Sequence, residues 1–109
     1  MKVYIAGKIS GDPSYHEKFN IGKKALEYEG LIVLNPADLP EGMRPADYMR
    51  VCFAMIDIAD VVAFLPDWQD SRGACLEFDY SEYVGKQTMF LRDLTAYQNL
   101  TAPVKLGGF

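Results

Sequence analysis

Cysteine is scarce in this 109-residue chain: Cys52 and Cys75 are the only two, and no CxxC spacing joins them. That argues against both a disulfide framework and a zinc site. Histidine is scarcer still, with His16 alone in the first turn of an expected helix, where it reads as solvated. Nothing has metal-ligand spacing, and no metal or cofactor is implied. Long apolar runs are missing too; none approaches the roughly 20 residues that span a bilayer. Lys2 leads straight into "VYIAG", too short for the apolar core of a signal peptide. The expectation is a cytoplasmic protein with no membrane partner. Basic excess is also lacking, since the net charge is −4. Polymeric nucleic acid is therefore not an expected partner, because such binding rests on cationic surface meeting phosphate. A small anionic ligand stays open, as it needs only a few local donors.

What is present is an ordinary globular composition, 50% apolar, without repeats or low-complexity runs. The length suits one domain over 1–109 with a single core. "KVYIAG" reads as a first strand, and Ser14 with Glu17 as an S-x-x-E capping box that opens a helix. Tyr15, Phe19, Gly22 and Leu26 share one face of that helix, and Gly30 ends it. "LIVLNP" is a second strand closed by Pro36, and "ADLPEGMRP" a loop. A second helix is expected from about Ala46 to Ile58. "DVVAFLP" is nearly all apolar, as in a parallel strand covered on both faces. A third helix then ends at Gly85, and "QTMFL" is a further strand. This alternation predicts an α/β fold: a three-layer, Rossmann-like or flavodoxin-like parallel sheet of four to five strands with helices on both faces. The tail 92–109 has turn-formers and no period, and reads as loop with at most a short helix.

In open parallel sheets ligands bind beyond the carboxyl ends of the strands, where strand order reverses. The segments expected there are "GKISGD", "NPADL" and "PDWQDSRGA", which makes Gly7, Lys8, Ile9, Ser10, Gly11, Asn35, Asp67, Trp68, Ser71 and Gly73 candidate binding residues. Gly7 and Gly11 bracket a loop whose backbone N–H groups can meet an anion, although a plain glycine turn fits as well. Ser71, with Asp70 competing, can cap the third helix, and Gly73 leaves its first turn bare, which suits an anion or simply a packed N-terminus. Trp68 can stack on a base or anchor a lid. Glu77 lies six residues past Ser71, too late for a capping glutamate. It reads as an ordinary solvated residue or as a side chain reaching over the strand ends.

Three stretches together, "VYIAGKISG", "ADYMRVCFAMIDIADVVAFLPDW" and "SRGACLEFDYSEYVGK", resemble the nucleoside 2-deoxyribosyltransferase superfamily over residues 1–91. The likeness is nearest to its short bacterial and phage members, with the 2′-deoxynucleoside 5′-monophosphate N-glycosidases as relatives. The resemblance implies that Glu77, in the Gly73-x-x-x-Glu77 pattern, is a nucleophile and that Tyr4 lies near the reacting sugar. It implies that Ser71 and the loop Gly7–Gly11 seat a 5′-phosphate. The implied activity is cleavage of an N-glycosidic bond, or deoxyribosyl transfer, on a nucleoside or its monophosphate. The implied assembly is a homo-oligomer, dimer or higher. One position departs from the pattern: those enzymes carry an aspartate that helps protonate the leaving base where this chain has Cys52. Asp57 is roughly 140° off that helical face, Asp67 could act if it folds inward, and Cys52 itself suits a packed core position. The alternative is therefore a nucleotide- or nucleotide-sugar-binding module without turnover, or a structural oligomer with a vestigial pocket.

Overall fold

Alternation of apolar side chains across the first strand sets up two separate cores. In a computed structural model that describes residues 1–92, β1 spans Lys2–Ala6, and its successive side chains point to opposite sheet faces. Val3 and Ile5 join Phe19, Ala25 and Leu26 of helix α1 (Tyr15–Tyr28) on one face. Tyr4 and Ala6 join Cys52 and Ile56 of helix α2 (Pro45–Ile58) and Ala74 of helix α3 (Arg72–Tyr83) on the other. Strand β3 (Val61–Phe64) is buried at every position and splits its side chains between the same two cores.

Strands β2 (Ile32–Leu34) and β4 (Gln87–Phe90) flank this pair in the order β2-β1-β3-β4, and every pairing is parallel. The expected three-layer α/β fold is therefore what forms, with four strands among the described residues. Strand order reverses between β1 and β3, so a ligand crevice belongs beyond Ala6 and Phe64. The loops that follow β1, β2 and β3 meet there. Residues 93–109, most of the expected tail, lie outside the described residues.

The start of α1 differs from expectation. Ser14 is the N-cap residue, but its side chain makes no capping bond and no capping box with Glu17 forms. Its backbone is not extended (φ −100°, ψ 15°). An aspartate turn takes over instead: Asp12 Oδ1 accepts from Ser14 N at 2.9 Å, and Asp12 O accepts from Tyr15 N. At the other end Gly30, at φ +83°, turns the chain out of the helix as expected. The segment read as a loop after β2 also carries a single 3-10 turn, Pro36–Asp38.

Loop one leaves the sheet at Gly7, which sits against Leu65. A Cβ there would come within 2.7 Å of Leu65 Cδ1. Gly7→Ala should therefore cost about 1–3 kcal/mol, the range for overpacking a tight contact. Urea unfolding should show a lower midpoint at unchanged slope; an unchanged midpoint would mean that the loop relaxes freely.

Candidate active site

Ser71 sets the phase of α3. Its extended backbone precedes the first turn, and its Oγ accepts from Ala74 N at 3.1 Å, an ordinary side-chain cap. Counting from there, Ala74, Glu77 and Ser81 form the buried stripe of the helix. Glu77 thus occupies a position that helix periodicity gives to a core residue, and only 5% of it is exposed. Tyr4, on the middle of β1 and facing the same core, donates its phenolic hydrogen to Glu77 Oε2 at 2.6 Å. Cys52, one of the two buried residues of α2, closes the group from the third side.

This trio forms the floor of a hollow of about 590 Å³. Gly7, Ile9 and Ser10 of the first loop make one wall. The loop after β2 makes another through Leu39, Glu41, Gly42 and Met43, backed by Tyr48 and Met49 of α2. Tyr48 holds this loop from within: its Oη donates to Pro40 O at 2.6 Å and accepts from Met43 N at 3.2 Å. Glu41 at its tip accepts from Tyr15 Oη at 3.0 Å, with His16 Nε2 3.7 Å away and exposed, as expected. Asp70, Ser71, Arg72 and Gly73 form the rim beside α3.

Of the candidate residues, Tyr4, Gly7, Ile9, Ser10, Ser71, Gly73 and Glu77 come together around the hollow. Five others do not line it. Asn35 spends its side chain on the 3-10 turn after β2, where Oδ1 accepts from Ala37 N at 3.0 Å. Trp68 packs among Phe64, Phe78 and Phe90, with ring centroids 4.8–5.8 Å apart, rather than along the hollow. Asp67 does not fold inward as a spare acid, because it pairs with Lys18 and accepts from Lys8 N. Lys8 contributes backbone to the same clamp, its carbonyl accepting from Lys18 Nζ at 2.7 Å. Gly11, at φ +79°, makes the turn behind it.

Lys18 was invisible to sequence reasoning. Its side chain is 14% exposed and reaches Asp12, Asp67 and the Lys8 carbonyl at once, tying the first loop to the third. Its one sequence signal is a lysine near the start of a helix, where the macrodipole disfavours cations. Tyr48 and Met49 were also missed as lining residues, although they precede Cys52 by four and three positions and so share its helical face. Arg72, beside the Ser71 cap, lines the rim as well, with no spacing signal to mark it.

Residues 1–90 match the family described as Domain of unknown function (DUF4406). The chain belongs to this family. DUF4406 falls within the nucleoside 2-deoxyribosyltransferase-like superfamily, as the resemblance implied. No curated protein matches the chain. Among solved structures it is similar to a 2-desoxiribosyltransferase from Leishmania mexicana, with a TM-score of 0.67 and 18% identity over 83% of this chain. At that identity the likeness bears on the fold. The DUF4406 chain spans 63% of the length of that protein.

Electrostatics at the floor of this DUF4406 hollow are dominated by burial. Removal from water pushes the Glu77 carboxyl up from 4.5 to about 7, opposed by the Tyr4 hydrogen bond and the Cys52 thiol. Burial, and then the neighbouring Glu77 charge, push the Cys52 thiol up to about 12. The same two causes, in the same order, raise the Tyr4 phenol well above its usual value. No group of three or more His, Cys, Asp or Glu among the described residues is arranged to hold a metal ion.

A raised carboxyl makes stability depend on pH with a definite sign. Below pH 4.5 both folded and unfolded Glu77 are protonated and nothing is lost. Between 4.5 and about 7 only the unfolded form ionises freely, so stability falls as pH rises. The full loss is on the order of 3 kcal/mol. Glu77→Gln, which keeps an acceptor for Tyr4, should therefore be more stable than the parent at pH 8. The gap should close below about pH 4.5, as read by urea unfolding across pH; a constant gap would contradict a buried titrating carboxyl.

Proposed function

We propose that this protein breaks the N-glycosidic bond of a nucleoside or nucleoside 5′-monophosphate, by hydrolysis or by transfer of the (deoxy)ribosyl group, with Glu77 as nucleophile. The observation that carries this reading is the Glu77 carboxyl, buried at the floor of a nucleoside-sized hollow with a phenol as its hydrogen-bond partner. A carboxyl placed in a helix's core stripe costs stability. A costly, perturbed group at the base of a cleft is a mark of a working site.

In this reading Glu77 attacks the anomeric carbon through an oxocarbenium-like transition state. The resulting glycosyl-enzyme is released by water in a hydrolase, or by a second base in a transferase. Tyr4 fixes the carboxylate by its hydrogen bond, leaving the other oxygen to attack. Gly7, whose α-carbon side is filled by Leu65, and the bare first turn of α3 at Gly73 suit the 5′ end of the sugar. The resemblance to the monophosphate glycosidases supports a phosphate there. Homo-oligomerisation belongs to the same proposal, and exposed Val51, Ile58, Leu76 and Tyr83 on α2 and α3 supply apolar surface for it. No helix among the described residues is long and apolar enough to cross a membrane.

Cys52 favours a second reading, a nucleotide-binding module without turnover. The thiol stands where the resembling enzymes have an acid, and at about 12 it holds its proton too tightly to donate near neutrality. Incubation with each nucleoside and deoxynucleoside monophosphate, followed by chromatography for free base, separates the two. Base release should disappear in Glu77→Ala. In the parent it should rise with pH through a limb near 7, because the nucleophile must be ionised. Release that survives Glu77→Ala removes the proposed nucleophile. No release, together with a raised melting temperature on adding nucleotide, establishes the binding module.

A further inference from the structure

Among the described residues, every phenolic proton around the hollow is already engaged. Tyr4 donates to Glu77, Tyr15 to Glu41 and Tyr48 to the Pro40 carbonyl. Among the described residues the lining holds neither histidine nor lysine, and Cys52 alone faces the floor beside the tyrosine–glutamate pair. Three described lining carboxyls, Glu41, Asp70 and Glu77, stand against one described cation, Arg72. A neutral base leaving a sugar departs as an anion unless an acid delivers a proton to it, and such help is worth about 10²–10⁴ in rate. Among the described residues the site thus combines a nucleophile, an excess of negative charge and no spare proton donor at its floor.

From this arrangement, and resting on the N-glycoside reading above, we propose that the hollow selects N-glycosides whose departing ring nitrogen already bears a positive charge, namely pyridinium or N-alkylpurinium nucleosides. The step then balances without an acid. A Glu77 oxygen forms a bond to the anomeric carbon while the carbon–nitrogen bond breaks. Its electron pair returns to the ring, and the base leaves neutral. Water next attacks the anomeric carbon, the ester bond to Glu77 breaks, the carboxylate is regenerated and one proton passes to solvent. The carboxyls facing the hollow attract the cationic substrate and hold the neutral product weakly. The high proton affinities of Tyr4 and Cys52 accord with this, since neither is a ready acid near neutrality.

The test uses matched pairs that differ by one N-methyl group and the positive charge it fixes: 7-methylguanosine against guanosine, and the two 2′-deoxy counterparts, at low salt. For each pair the ratio of kcat/KM is compared with the ratio of spontaneous cleavage rates under the same conditions. A catalysed ratio at or above the spontaneous one, lost in Glu77→Gln, supports the proposal. A catalysed ratio below the spontaneous one means that the protein protonates its leaving group, which overturns the proposal and leaves the N-glycoside reading standing. No Glu77-dependent cleavage of any member brings down both. Cys52→Asp adds an independent arm by placing a carboxylic acid beside the leaving group. Its ratio should fall by at least about tenfold, a fraction of the usual worth of a general acid. An unchanged ratio in a folded variant speaks against the account, and if that variant does not fold, the parent ratios decide.

Discussion

The Tyr4–Glu77 hydrogen bond joins the central strand to the last described helix across the middle of a core. Both partners are out of water, so each depends on the other for its polar satisfaction: the phenol has one acceptor and the carboxyl accepts its strongest donor there. Breaking the pair leaves the surviving buried group with only the weaker Cys52 thiol beside it, whichever side is removed. The bond also fixes α3 against β1 in one register, since Glu77 must arrive at the level of Tyr4 for it to form. Ser71 and Gly73, a turn or more earlier on the same helix, are thereby delivered to the rim of the hollow.

A second set of charges works on the loops rather than on the floor. Lys18 belongs to α1, on the opposite face of the sheet from α2 and α3, yet its ammonium gathers Asp12 and the Lys8 carbonyl from the first loop and Asp67 from the third. Two loops that share no sequence neighbourhood are thus tied at their bases. This explains why Asp67 and Lys8, though adjacent to the crevice in sequence, do not line it. Their polar atoms hold the frame of the site, and Gly7, Ile9 and Ser10 are left to line it.

Much of this was legible in the sequence, and the reasons can be named. The continuous apolar runs of Val3 to Ala6 and of Val61 to Leu65 pointed to the parallel sheet, because burial on both faces leaves that trace. Glycines after α1 and α3 marked their ends. The floor was reachable only through resemblance, since a glutamate at a core position looks, by type alone, like a surface residue. What stayed hidden was side-chain commitment. Asn35 and Ser14 are both good caps by type, yet the backbone angles around them let Asn35 cap and left Ser14 idle. Trp68 and Asp67 sit in a loop at the right end of the sheet, and nothing in their spacing says that one turns to the phenylalanine cluster and the other to Lys18.

The grip of Tyr48 on the segment after β2 has a consequence for how molecules enter. One phenolic oxygen holds Pro40 and Met43 together, so the intervening bend is closed on itself and anchored to α2 like a staple on a bookbinding. Such an edge behaves as a fixed kerb rather than a shutter. Admission would then be governed by the outline of the doorway, and discrimination among visitors by what fits through a frame already set.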